Sequence, residues 1–271
     1  MSWVALTPIP AIAIGILVMH GHGVPKARQL VQIAACVVGL TLFAIARRVR
    51  LDPRRTLALT IVTIVFLASP FLFGGAGNVH RWVSVGALQL YVAGVASPLL
   101  LVACSHPALL PTFNVVAQLT ALAILAAQPD AGQTTAVGAA FLVLTWRRFT
   151  GATALLWTLS YLAMITIAWS RPDGLAPVAE VEGIVELAFT RAPWLGVLSL
   201  VAIALPTAVL VAAPKATRPL TLSLGVYFFA SFIVTRLGHF PVALLGYGAG
   251  PILGMFLALA AVTPSHEVGA G

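Results

Sequence analysis

Apolar residues run through this chain in long unbroken stretches, divided by short polar interruptions. The stretches do not alternate at period two, as half-buried strands do. A run of about 20 apolar residues crosses a bilayer as a helix. Ten such runs are expected, over residues 3–19, 30–46, 55–73, 84–104, 113–128, 132–146, 150–169, 181–213, 219–236 and 241–262. Segments 113–128 and 132–146 are short and close, and also fit one span broken at Pro129. Residues 181–213 are too many for one upright helix, since they would reach roughly 50 Å at 1.5 Å per residue against a hydrocarbon core of about 30 Å. Glu180, Glu182, Glu186 and Pro193 point to a surface or cavity-lining lead-in to a span near 194–213. Strands are not expected, because barrel proteins carry alternating segments of about ten residues. The expected fold class is all-α, a polytopic transmembrane helical bundle of about ten spans in a single integral membrane domain, residues 1–271.

Composition agrees with this picture. Sixty per cent of the 271 residues are hydrophobic and 8% are charged, against roughly 25% charged in an ordinary soluble domain. There are too few polar side chains to cover a water-facing surface. Cys36 and Cys104 both fall inside apolar runs, where thiols act as small packing residues, and two cysteines imply neither a disulfide framework nor a metal site. The N-terminus has no basic region ahead of its apolar run and does not read as a cleavable signal peptide.

Charge gives the helices a direction. Arg47, Arg48, Arg50, Arg54 and Arg55 crowd one connection, Arg147 and Arg148 another, and Lys215 and Arg218 a third. With ten spans these connections share one side, the cytoplasm by the positive-inside rule, and both termini lie inside. Merging the fifth and sixth segments would move Arg147 and Arg148 to the wrong side. The net charge of +8 is dispersed over short loops and does not indicate nucleic-acid binding.

The seven acids carry more information. Asp52 and Glu267 fall on the cytoplasmic side, and Asp130, Asp173, Glu180, Glu182 and Glu186 on the outer side. An ionisable group near lipid is costly and usually faces a cavity or a partner. Glu182 and Glu186 share a helix face at four-residue spacing. An acidic outer cavity is expected, approached by Arg81 and by Arg171 and Arg191. Asp130 also reads as a helix cap after a Pro-linked turn, and Asp173 and Glu180 also read as solvated loop acids. His20 and His22 make only two potential metal ligands in a Gly-rich loop. His239 before Phe240-Pro241 reads as a cap or surface residue.

Four short motifs, in one order along the chain, resemble the SEDS family (shape, elongation, division and sporulation; the FtsW and RodA group). They are Arg28-Gln29, Arg81-Trp82-Val83-Ser84-Val85-Gly86, Gln128-Pro129-Asp130-Ala131-Gly132, and Gly246-Tyr247-Gly248-Ala249-Gly250. The resemblance implies ten spans, both termini cytoplasmic, the bacterial inner membrane, and polymerisation of lipid II into peptidoglycan in cell-wall synthesis or division. It implies a lipid-linked substrate, a single-span penicillin-binding transpeptidase as partner, and a divalent cation, Mg or Mn, as possible cofactor. Anchored on Leu195-Gly196, Glu182 falls at the position of the family's essential Asp. Glu182 is then the expected catalytic base, and Arg81, Asp130, Glu186 and Gln128 the expected substrate-binding residues.

The chain also departs from that pattern. The outer loop before Val181 is short, and Gly94 and Ser97 stand where the family has Glu and Lys. Lysine is a natural diphosphate contact. A catalytically inactive SEDS-like scaffold that binds a membrane partner or lipid is therefore the alternative, and a small-solute transporter a third reading.

Overall fold

Lipid offers a backbone no hydrogen-bond partner, so each apolar run satisfies its own N–H and C=O groups by closing into a helix. The computed structural model describes residues 3–75, 78–86, 88–171, 173–212 and 218–263. A 3-10 turn, Trp3–Leu6, leads into α1 (Ile9–Gly21), followed by α2 (Lys26–Ala46), α3 (Pro53–Ala68) and a second 3-10 turn, Ser69–Leu72. A hairpin of β1 (Trp82–Val85) and β2 (Leu88–Tyr91) feeds α4 (Val92–Ser105). Then come α5 (Pro111–Ala127), α6 (Ala131–Arg148), α7 (Gly151–Ser170), a short α8 (Ile184–Arg191), α9 (Pro193–Val211), α10 (Arg218–Val234) and α11 (Ala249–Val262). The protein is a helical membrane protein. Among the described residues, five helical segments are long and apolar enough to cross a bilayer: Trp3–Gly21, Lys26–Ala46, Pro53–Leu72, Gly151–Ser170 and Pro193–Val211.

Several helices are polar inside and apolar outside. The buried residues of α3 are Thr56, Thr60, Thr63 and Leu67, which share one face at helical spacing. Leu57, Ile61, Val62 and Val65 of the same helix are exposed, as suits a side that meets lipid tails. In α7 the buried residues are Ala154, Tyr161 and Ala168, a single stripe at seven-residue steps. Helix α4 is different. Nearly all of it is buried, and it packs against α3, α10 and α11 at the centre of the bundle. Gly94 and Gly254 allow α4 and α11 to touch backbone to backbone, for a Cβ on Gly254 would strike the Gly94 carbonyl. Small residues at such crossings let van der Waals contact replace the hydrophobic drive that lipid removes.

The structure separates two helices that the sequence left open to merger. Helix α5 ends at Ala127 and α6 begins at Ala131, with Gln128 and Asp130 as caps. It also divides residues 181–213 into the short α8 and the long α9. Two expected spans begin later than their hydropathy suggests. The first part of 84–104 is a hairpin, with Trp82 opposite Tyr91 and Val85 opposite Leu88, so the expectation of no strand is corrected. Gly86 at its turn has φ +59°, a conformation that costs glycine nothing. The first part of 241–262 is a non-helical loop, and α11 starts at Ala249. Hydropathy cannot see either break, because irregular backbone at membrane depth is tolerated where it lines a cavity, and both stretches line one. Lys215 and Glu267 lie outside the described residues.

Candidate functional site

Arg81 is positioned by the hairpin. Val92 N–H donates to the Arg81 carbonyl at 3.2 Å, which extends the ladder one step past the Trp82–Tyr91 pair. The Trp82 and Tyr91 rings lie 6.3 Å apart. This places the Arg81 side chain, 3% exposed, beside Asp130, which is fully buried. Arg81 Nη2 donates to the Pro129 carbonyl and lies 2.7 Å from Asp173 Oδ2. Its Nε is 3.6 Å from Asp130 Oδ2, an ion-pair distance beyond a normal hydrogen bond. The Phe240 ring covers the guanidinium at 5.8 Å.

Asp130 has two roles at once. Its Oδ1 accepts from Gln133 N–H at 3.2 Å, capping α6, and its Oδ2 accepts from Tyr91 O–H at 2.5 Å. The cap that the sequence offered as an alternative is thus present together with the ion pair. Gln128 instead donates to the Leu67 carbonyl at 2.7 Å and is buried. It ties the end of α5 to α3, away from the cavity lining.

Glu182 sits in the turn before α8. Its Oε2 accepts from Val178 N–H at 2.6 Å, while its own N–H donates to the Val178 carbonyl at 3.0 Å. The turn is strapped to the loop ahead of α11. Val242 N–H donates to Val181 O at 3.1 Å, and Tyr247 N–H to Glu180 O at 2.9 Å. Gly246 is required there, since a Cβ would collide with the Val181 carbonyl. The loop is held from beneath by Gln32, a fully buried amide whose Nε2 donates to the Leu244 and Leu245 carbonyls, each at 3.1 Å. Gln32 was not singled out in the sequence; the only signal was a lone amide inside an apolar run.

These pieces enclose a cavity of about 410 Å³ whose polar lining includes Arg28, Arg81, Tyr91, Asp173, Glu182 and His239. Arg81 and Glu182, separated by a hundred residues of sequence, share it. Asp130 stands behind Arg81 rather than in the lining. Glu186 opens on a neighbouring cavity of about 610 Å³, paired with Arg236. Burial pushes the Glu182 carboxyl above its ordinary value, against the opposing pull of the Val178 N–H, its own N–H, and the charges of His239 and Arg81.

The cavity is not simply acidic, as expected, but mixed. Arg28 pairs with Glu180 and stacks over the Tyr247 ring at 5.6 Å, so two guanidiniums face Asp173 and Glu182. Asp173, equally a solvated loop acid from sequence, is the second partner of Arg81. Arg171 donates to the Ala126 carbonyl at 3.3 Å and Arg191 lies against Gly21 of α1; neither lines the cavity. His22 Nε2 is 3.0 Å from the Leu187 carbonyl. Among the described residues no three His, Cys, Asp or Glu side chains are grouped to hold a metal ion.

No protein-family model matches the chain, and no curated protein matches it. Solved structures do. An Asp→Ala variant of the rod shape determining protein RodA from Thermus thermophilus aligns with TM-score 0.74 and 18% identity, over 96% of this chain and 95% of that one. RodA without that substitution aligns at TM-score 0.64 and 17% identity over the same shares. A chain from a peptidoglycan synthase complex that coordinates polymerization and crosslinking aligns at TM-score 0.63 and 19% identity, again over 96% and 95%. The chain therefore has the fold of RodA, the SEDS-like fold to which its ordered motifs point.

Proposed function

We propose that this protein polymerises a lipid-linked disaccharide diphosphate, lipid II, into peptidoglycan at the outer face of the bacterial inner membrane. The observation that carries the reading is the shared cavity of Arg81 and Glu182. Arg28, Arg81, the cap of Asp130, the 173–182 connection and His239 come from alternate connections of the bundle. The arginine-rich connections α2–α3 and α6–α7 alternate with them, so the positive-inside rule puts the cavity outside and both termini in the cytoplasm.

The chemistry follows from the lining. An acceptor sugar hydroxyl attacks the anomeric carbon, the bond to the diphosphate oxygen breaks, and the hydroxyl proton passes to the Glu182 carboxylate as general base. A carboxyl held above its ordinary value by burial is a stronger base than an exposed one. The departing diphosphate gains negative charge, which Arg81 and Arg28 stabilise. Arg81 arrives at this task fixed by Asp130, Asp173 and Pro129, so little reorganisation is needed during reaction. A Mg or Mn ion, if used, would need donors from the diphosphate itself, since magnesium sites often combine one or two carboxylates with substrate phosphates.

The test is direct. Purified protein is given labelled lipid II with and without a divalent cation, and glycan length is read on a gel. Glu182→Gln is expected to lower the rate by about a hundredfold or more. Polymer made equally well by Glu182→Gln would remove Glu182 from the mechanism, and no polymer from wild type in either condition would overturn the activity.

A second reading has one specific observation behind it. Gly94 and Ser97 lie on the buried face of α4, and a side chain on Gly94 would meet the α11 backbone at Pro251. A Glu at position 94 has no room there. An inactive scaffold that binds a partner, such as a single-span transpeptidase, fits that loss. Stoichiometric co-purification with such a partner, together with no polymerisation by the complex, would select it.

A further inference from the structure

The two cavities share part of their lining. The residues that line both are Pro177, Glu182 and His239. Proline contributes no titratable group, so the chemistry of the seam belongs to Glu182 and His239. His239 is exposed, and a tight corner places it. Helix α10 ends at Val234, Gly238 N–H donates to Val234 O at 3.2 Å, and Phe240 N–H to Gly238 O at 3.1 Å. Phe240 is buried against Arg81 and Trp169, which leaves the preceding side chain turned to the seam. In the resembling motif nothing was assigned to this position, and the sequence offered it only as a cap or surface group.

The geometry points to His239 as a positioning residue for the Glu182 carboxylate, favouring its charged form from the seam of the two cavities whenever the imidazole carries its second proton. This rests on the reading of Glu182 as the base, but concerns the charge of that group rather than the turnover it serves. Imidazoles change charge between about pH 5 and 8, and an opposite charge nearby favours the ionised carboxylate. The other charged groups facing this pair are few. Arg81, Arg28 and Asp173 line the first cavity, and Glu186 and Arg236 line the second. Arg81 is shared with Asp130 and Asp173, Arg28 with Glu180, and Arg236 with Glu186. His239 is the basic side chain that stands at the seam itself and has no ion pair among the described residues.

The test reads the proton on Glu182 without asking for polymer. An apolar carbodiimide labels protonated carboxyls, and peptide mass spectrometry of the purified full-length protein reports the labelled fraction of Glu182 against pH. Glu182→Gln gives the blank. His239→Gln is expected to move the midpoint of labelling upward by about half a unit to one unit, and His239→Lys to restore it. Raised salt should shrink the difference, because exposed charges are screened. An unmoved midpoint in His239→Gln overturns the proposal. So does an equal displacement in His239→Gln and His239→Lys, which would mark a loss of shape rather than of charge. If lipid II is not polymerised yet the midpoint moves as stated, the catalytic reading fails and this one stands. If it is polymerised, the acid limb of the rate should move with the labelling midpoint while KM stays constant.

Discussion

At the Asp130 end of α6 the buried polar groups are ions, while around Thr145, about 22 Å further along the helix, they are neutral amides and hydroxyls. The neutral cluster closes on itself. Asn114 Nδ2 donates to the Cys104 carbonyl at 2.7 Å, and Gln118 Nε2 to Asn114 Oδ1 at 2.6 Å. Tyr161 O–H donates to Gln118 Oε1 and lies 2.9 Å from Thr145 Oγ1. Arg148 seals the end by donating to the Leu109 and His106 carbonyls at 3.1 and 2.7 Å. Every group there is spent on its neighbours, so the cluster can only fasten α5, α6 and α7 together. On its buried side the ionic cluster is held less completely: Pro129 accepts from Arg81 Nη2, while Arg81 Nε has no hydrogen-bond partner and lies 3.6 Å from Asp130 Oδ2. On its open side Asp173, Arg28 and Glu182 face a cavity. A buried ion pair is a poor source of stability, because desolvation offsets most of its attraction. Its presence at one end, where neutral groups suffice at the other, marks the end at which charge is used.

Substitutions can break this contrast, and the largest effect should fall on the ionic end. Arg81→Met leaves Asp130 buried with no cation and is expected to cost about 3 kcal/mol or more, read as a lowered Tm in detergent. Adding Asp130→Asn should recover part of the loss; a double variant less stable than Arg81→Met would refute the pairing. At the neutral end, Gln118→Leu strands Asn114 and Tyr161 and should cost about 2 kcal/mol, with polymer per folded molecule unchanged. Loss of activity at an unaltered Tm would erase the distinction between the two ends. Tyr161→Phe removes one hydroxyl and should cost about 1 kcal/mol, again without effect on turnover. Glu186 and Arg236 are 54% and 44% exposed, so Glu186→Gln should change stability by less than about 0.5 kcal/mol. A raised KM in that variant would show a substrate contact in the second cavity.

The smallest effect should carry the opposite sign. Burial raises the Glu182 carboxyl above its ordinary 4.5, so ionising it opposes folding. That cost is absent at pH below the ordinary value and complete at pH above the raised one. Glu182→Gln should therefore be neutral or slightly stabilising at pH 7 while slowing polymerisation by about a hundredfold or more. Wild-type activity should fall on the acid side along a limb above pH 4.5. Marked destabilisation by Glu182→Gln at pH 7 would make Glu182 a structural group.

Hydropathy alone located the helices, because a bilayer forces any long apolar run to satisfy its own backbone. The arginine clusters gave each connection an expected side and argued against merging segments 113–128 and 132–146, which fold as the separate helices α5 and α6. Where hydropathy failed, it failed at the cavity. The stretches that open the expected spans 84–104 and 241–262 are apolar enough for helix, yet the strands Trp82–Val85 and Leu88–Tyr91 pair in the first and a strapped loop precedes Ala249 in the second. Composition measures the preference for lipid, not whether a stretch is buried by protein on all sides.

The candidate acids and Arg81 were visible in the sequence as rare charges in an apolar chain. Their partnerships were not. That Asp173 completes the hold on Arg81, that Gln128 fastens α3 instead of facing substrate, that Glu186 belongs to a second cavity, and that Arg28 and His239 join the site all depend on contacts between connections far apart in sequence. Charge is a property of single residues and can be counted along a chain. Convergence depends on how helices pack, and here it is set by small-residue crossings such as Gly94 with Gly254 and by the buried amide of Gln32, whose significance appears only once the helices are assembled.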